Sequence, residues 1–356
     1  MNAPLPLVPR ALEAGTLGLR WGPFSLLIAW RPLLTGLLLL LALAGAIALA
    51  LLAGDTWFTP ADLWAVLSGR ASPDQQLLMI EFRLPRILVG LLAGAALGLA
   101  GCLTQALSRN RLAVPDVLGV SDGATLGAVV GLIASTSGML GPWWTGPLGA
   151  LVAIVLLLLA AGRHAGRGEQ ILVVGLAIAA LLRAFVELLL SRQDLTHAGA
   201  LYNWSTGSLS GRGLDAALPL TIGLACLFLP TLLLLRQLNL LRLDPDIART
   251  LGVNLQRTRL LALLIAVLLA GLAVGLCGPI AFVALAAPWL ASRLAGGGRL
   301  ALLGSALTGA LLIVLADTGG RILLAGNELP AGVVCNLLGG PFLLWLLFNE
   351  REGEAR

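Results

Sequence analysis

Long apolar runs fill the chain, broken at short intervals by arginine, proline, glycine and a few acids. A helix of about 20 apolar residues crosses roughly 30 Å of hydrocarbon. Cut at that length, the sequence predicts ten spans: 33–53, 87–107, 117–136, 146–162, 170–191, 216–236, 259–277, 279–295, 300–317 and 330–348. The seventh and eighth nearly fuse at Gly278-Pro279. The predicted fold class is all-α, a polytopic membrane protein. The chain divides into a tail at 1–32, a ten-helix membrane domain at 33–348 and a short tail at 349–356. An even number of crossings puts both termini on one side.

Arginine sets the orientation, because cytoplasmic loops carry the excess of positive charge. One set of loops and ends holds Arg10, Arg20, Arg31, Arg109, Arg111, Arg163, Arg167, Arg236, Arg242, Arg249, Arg257, Arg259, Arg293, Arg299, Arg351 and Arg356. The opposite set holds only Arg70, Arg83, Arg86, Arg192, Arg212 and Arg321. Both termini are therefore expected in the cytoplasm, with lipid around the bundle. The first 30 residues lack a short apolar core ending in a small-residue cleavage site, and are expected to be an uncleaved cytoplasmic tail.

Composition agrees and removes several function classes. Of 356 residues, 58% are hydrophobic and 12% charged, and the mean hydropathy of +0.95 is far above that of a soluble domain. All 23 basic residues are arginine. They are scattered singly rather than gathered in a stripe, so the net charge of +5 points to no nucleic acid. Cys102, Cys226, Cys277 and Cys335 fall in or beside spans without CxxC spacing and read as small packing residues, with no metal site. His164 and His197 lie in loops on opposite sides, which leaves a transmembrane haem or an intramembrane serine protease without ligand or base. A chain without lysine has no GxxxxGK[ST] phosphate loop. It is expected to be a non-enzyme with no cofactor of its own; any ATP and magnesium would be held by another chain.

Two charged features stand against this background. Arg183 and Glu187 fall inside the fifth span at i, i+4, where they share a face and can pair. An ionised residue at mid-bilayer costs about 2.5–3.5 kcal/mol, so such residues face a cavity or another helix. A structural salt bridge and a translocation path both satisfy that. The second feature is RLPR (83–86), which opens a glycine-spaced helix with two arginines on the side where arginine is scarce. Pro85 suits a first helical turn at the water boundary. The arginines could reach lipid headgroups, pair with acids such as Glu81, or receive a partner. In the following helix Gly90, Gly94 and Gly98 recur every four residues and Gly101 follows, a stripe that lets a neighbouring helix approach closely.

RLPR belongs to a longer series. It continues through Gln105 to SRNRLAVPDVLGVSDGATLG (108–127), GPIAFVALAAP (278–288), ADTGGR (316–321) and NELPAGVVCNLLGGPFLLWLL (327–347). In this order the segments resemble the permease family of type II ABC importers for ferric siderophores, haem and cobalamin, and look most like a ferric-catecholate siderophore permease subunit. The likeness runs from about residue 55 to 348. It implies a ten-helix subunit of the bacterial inner membrane. Its implied partners are a second permease subunit, favoured as a paralogue over an identical chain, two copies of a cytoplasmic ATPase and a periplasmic siderophore-binding protein. It further implies that Arg83, Arg86 and Arg321 dock the binding protein, and that the loop 238–259 couples to the ATPase through Ala248, Arg249, Leu251, Gly252 and Val253. In that loop Asp246 can open a short helix through Leu251, and Gly252 allows a left-handed stop. The fifth helix, with Arg183 and Glu187, would line the translocation path. Two positions depart from the family pattern. Arg111 stands where RNPLA has proline, and Trp289 stands where a histidine follows the proline. An ion-coupled secondary transporter is the alternative class, although the spans offer almost no other buried coupling groups.

Overall fold

Every predicted span falls on a helix. The computed structural model describes residues 16–21, 24–54, 56–135, 141–162, 168–192, 204–241, 245–296, 300–323 and 328–354. Arg10, Arg163, Arg167, Arg242, Arg299 and Arg356, and both histidines, lie outside the described residues. Within the N-terminal tail, β1 (Thr16–Trp21) pairs with β2 (Phe24–Ala29) as an antiparallel hairpin in which Thr16 faces Ala29 and Trp21 faces Phe24. The hairpin feeds α1 (Trp30–Leu52). Two short helices follow, α2 (Pro60–Leu67) and α3 (Pro73–Leu77). Both open with proline at the first helical position behind a capping box, Thr59 with Asp62 and Ser72 with Gln75. The Thr59 hydrogen bonds hold the Asp62 carboxyl below its ordinary pKa.

The long helices are α4 (Leu84–Ser108), α5 (Val120–Ala134), α6 (Thr145–Ala161), α7 (Gly168–Ser191), α8 (Leu214–Leu240), α10 (Leu255–Cys277), α11 (Val283–Ala295), α12 (Leu302–Ile322) and α13 (Ala331–Glu354), with the short α9 (Pro245–Thr250) between α8 and α10. Among the described residues six helical stretches are long and apolar enough to cross a membrane: α1, Pro73–Ser108, most of α7, α8, α10 and α12. The apolar parts of α5, α6, α11 and α13 are shorter. α13 runs on to Glu354, so the segment expected as a C-terminal tail is helical through that residue.

Pro85 does not start its helix. The helical path begins at Pro73, and a π-helical turn at Leu78–Arg83 leads straight into α4. A π turn shifts the hydrogen-bond register, so a proline without a donor fits inside the helix instead of at its end.

α4 is the axis of the bundle, surrounded by α8, α10, α11 and α12. The glycine stripe makes this packing possible. A Cβ at Gly98 would stand 2.1 Å from the Ser305 carbonyl oxygen of α12, and one at Gly101 only 1.7 Å from that of Ala284 in α11. Only hydrogen fits at either point. α5, α6 and α7 form a second group that leans on α10, and Leu99, Leu103, Ile154, Leu220, Leu269 and Ile313 fill the space between layers.

The connection from α4 to α5 folds back into the bundle. Arg109 takes a left-handed conformation (φ 52°), and its Nε donates to the Leu241 carbonyl at 3.0 Å, which ties the end of α4 to the end of α8. Asn110 Oδ1 accepts the Leu112 N–H at 2.9 Å and closes the bend, so Arg111 is carried on the exposed side of an intact turn. A 3₁₀ turn, Pro115–Leu118, then runs beside α7, where Val117 packs against Gly175 and Gly119 against Ala179. Those contacts lie about 10–16 Å along α7 from its start at 1.5 Å per residue. α5 therefore begins beside the middle of α7. The other family departure, Trp289, is buried edge-on against Phe342 and Trp345, with centroids 5.3 and 5.6 Å away, so an aromatic contact stands where the family pattern has a polar ring.

Candidate functional site

Three places gather the charged residues singled out in the sequence. The first is the end of the bundle where α1 stops and α4 starts. A helix leaves its last carbonyls without intrahelical donors, and two arginines answer those of α1. Arg83 Nη1 donates to the Leu51 carbonyl at 2.5 Å, Nη2 donates to the carbonyl and Oγ1 of Thr56, and the guanidinium lies 4.5 Å above the Phe58 ring. Arg321 donates to the Ala53 and Ala50 carbonyls at 3.3 and 3.2 Å. Arg86 grips Asp317 through Nε and Nη2 at 3.1 and 2.9 Å and donates from Nη1 to Glu328 at 2.9 Å. Asp317 Oδ2 is also 3.4 Å from Arg321 Nε, so a single buried carboxylate bridges two guanidinium groups.

The structure places Arg83, Arg86 and Arg321 at the same end of the bundle and gives each of them internal partners. Headgroup anchoring is corrected for Arg83, which is 6% exposed, because the open carbonyls of α1 draw its donors inward; Arg321, 7% exposed, is held in the same way. Local pairing with Glu81 is corrected for Arg86: its acids, Asp317 and Glu328, lie 231 and 242 residues away in sequence. Sequence reasoning missed both acids, although Asp317 carried a signal in its i, i+4 spacing from Arg321. It also missed Arg212, a buried arginine near Asp215 and Cys277 whose Nε finds no hydrogen-bond partner among the described residues.

The second place is the α8–α10 connection. α9 forms where the loop predicts it, with Arg249 Nη1 donating to Asp246 at 2.7 Å, and Gly252 (φ 82°) ends it. The five expected interface residues divide. Ala248 and Val253 are buried against the bundle, whereas Arg249, Leu251 and Gly252 are exposed. Ile247, which the sequence reading passed over, joins Leu251 on the outer side of α9 at 52% and 57% exposure. α8 continues to Leu240 and α10 already starts at Leu255, so the loop is shorter than 238–259.

The third place is α7. Arg183 does not pair with Glu187. Its Nε donates to Asp122 Oδ1 at 3.1 Å, because the start of α5 beside the middle of α7 puts Asp122 level with Arg183. Ser121 Oγ, beside it, donates to Asp116. Glu187 is exposed one turn further along α7.

A bundle of apolar helices around a glycine-lined axis, with an arginine cluster at one end and an Arg183–Asp122 pair between α5 and α7, describes a multi-pass membrane protein. The FecCD transport family model matches residues 38–349. The chain belongs to that family, and it is a permease of the inner membrane. It is 36% identical to the ferric enterobactin transport system permease protein FepG of Escherichia coli over 91% of this chain and 98% of that protein. It is 40% identical to the Fe(3+) dicitrate transport system permease protein FecD of the same organism, over 87% and 97%. Among solved structures, a metal-chelate type ABC transporter in an inward-facing conformation superposes with a TM-score of 0.76 at 26% identity, over 88% of this chain and 98% of that one.

Proposed function

We propose that this chain is the membrane-spanning subunit of an ATP-binding-cassette importer that carries a ferric siderophore, of catecholate type, from a periplasmic binding protein into the cytoplasm. Near-complete alignment with two ferric-chelate permeases carries the reading. In this assembly a paralogous permease completes the path, and two copies of an ATPase bind and hydrolyse ATP with magnesium. The ten helices all cross, with both termini in the cytoplasm. Citrate- and haem-type chelates are the competing cargoes, since relatives of similar identity are named for them. Purification of the tagged chain from its native membrane, identification of the co-purifying subunits by mass and import assays in proteoliposomes test the proposal. Recovery with an ATPase and ATP-dependent import of a ferric tricatecholate are expected. Import driven by an ion gradient without any ATPase would overturn it.

The docking role is assigned to the lip formed by Arg83, Arg86 and Arg321, with Arg86 as the contact residue, because Glu328 is 36% exposed and an acidic partner can displace it. Arg83 and Arg321 act by holding α1 in place. Glu328→Gln is expected to raise the affinity for the binding protein at low salt and Arg86→Gln to lower it. The coupling role is assigned to α9, through Ile247, Arg249 and Leu251 at the surface, the Gly252 turn, and Ala248 and Val253 as its anchors.

A further inference from the structure

The family match begins at residue 38, and the hairpin of β1 and β2 lies ahead of it. Successive residues of a strand alternate between the two faces of a ladder, and directly paired residues share a face. The register pairs Leu17 with Ile28, Leu19 with Leu26 and Trp21 with Phe24, so six large apolar residues occupy one face. The other face holds Thr16 with Ala29, Gly18 with Leu27 and Arg20 with Ser25, where Leu27 is the one large apolar residue. A lone two-stranded hairpin is at best marginally stable in water and needs a surface to cover its apolar face. Among the described residues, neither strand packs extensively on a helix of the bundle.

α1 fixes where the hairpin sits. No linker separates them: Ala29 ends β2 and Trp30 opens α1. α1 has 23 residues, about 35 Å at 1.5 Å per residue, which exceeds the roughly 30 Å of hydrocarbon to be crossed. Its first turn therefore falls in the headgroup layer. Residues 30–34 are all exposed there, and Thr35, whose Oγ1 donates to the Leu294 carbonyl at 3.0 Å, is the first to be buried. A helix start so bare of protein is surrounded by lipid, and Trp30 is the residue type that gathers at that depth. The open edges of a two-stranded ladder keep the hairpin out of the hydrocarbon, where unpaired backbone groups find no partner. The headgroup layer, which water reaches, accepts them.

We infer that the Thr16–Ala29 hairpin is an interfacial membrane anchor. It lies flat on the bilayer surface around the start of α1, with the face of Leu17, Leu19, Trp21, Phe24, Leu26 and Ile28 set into the boundary between headgroups and acyl chains. Its partner is the lipid surface itself. The inference requires only that α1 spans the membrane, and it is independent of the proposed cargo and partner subunits.

Spin labels on single introduced cysteines test it, on the full chain in lipid nanodiscs with a Cys226→Ser background that removes the exposed native thiol. Power saturation compares collisions with oxygen, which concentrates among acyl chains, and with a nickel chelate, which stays in water. Labels at 17, 19, 26 and 28 are expected to favour oxygen, and labels at 18, 20, 25 and 27 the nickel chelate. Nickel access at every position would place the hairpin in water. Labels at 19 and 26 shielded from both probes would place that face against protein, a second copy of the chain included. Either result overturns the anchor. Hydrogen exchange of the unlabelled chain guards against a label that melts the strands. Leu19→Glu with Leu26→Glu is expected to abolish amide protection across 16–29 while α1 stays protected, and Ser25→Glu, on the opposite face, is expected to keep it. A wild-type hairpin without protection, or protection that survives Leu19→Glu with Leu26→Glu, overturns the assignment as well.

Discussion

Asp317 is the residue on which the arginine cluster of this lip depends. It is 4% exposed at the side chain, is gripped by two nitrogens of Arg86 and stands beside Arg321. Removing one partner of a buried ion pair leaves the other charge desolvated and uncompensated, at a cost of about 3–5 kcal/mol. Asp317→Ala is therefore expected to lower the thermal stability of the detergent-solubilised protein sharply, read as a fall in Tm. Asp317→Leu combined with Arg86→Met is expected to recover much of that loss, because well-packed apolar residues can replace a buried pair. A double variant no more stable than Asp317→Ala would show that the pair does more than neutralise itself. The same logic separates the three lip arginines. Charge reversal at Arg83 or Arg321 would disrupt the end of α1 before it reported on docking, and substitution at Arg86 avoids that.

At the scale of the element, α4 and α9 make opposite demands on their side chains. α4 needs their absence. Gly98→Leu would drive a side chain into the backbone of α12 and is expected to abolish accumulation of the folded protein, whereas Gly45→Ala in α1, with nothing within 4 Å of the added Cβ, is expected to be silent. Quantitative blotting of membranes checks both. α9 needs two faces. Ala248 is fully buried and should tolerate no large residue, while Leu251→Asp leaves the fold intact. Under the proposed function Leu251→Asp uncouples the transporter: the assembled complex hydrolyses ATP but imports substrate several-fold more slowly. Comparison of ATPase and import rates on one preparation checks this, and parallel loss of both rates would place Leu251 outside the coupling contact.

At the scale of the whole molecule, the proposed topology predicts that a green fluorescent protein fused after Arg356 fluoresces and that alkaline phosphatase at the same place is inactive. The opposite pair of results would overturn the cytoplasmic placement of the C-terminus. Much of this scale was legible from hydropathy alone. A window of apolar residues long enough to span lipid is a local property of the chain, so the helix positions, the small-residue stripe of α4 and the short helix at Pro245–Thr250 could be read in advance. Hydrogen-bond partners could not. Periodicity says which residues share a face and nothing about which helix lies opposite. Arg183 therefore looked like the neighbour of Glu187, when its partner is Asp122, 61 residues away on α5. For the RLPR arginines the sequence offered headgroups, a local acid such as Glu81 or a docking partner, whereas Arg86 closes on acids from the far end of the chain and Arg83, with Arg321, closes on the carbonyls of α1. The sequence by itself determined a membrane-embedded bundle of helices, the arginine bias from which its orientation is proposed and the family to which it belongs. Only the tertiary structure decided which charges are occupied and which face outward, because a charge in low dielectric takes whatever counter-charge or carbonyl the packing of distant helices brings within reach.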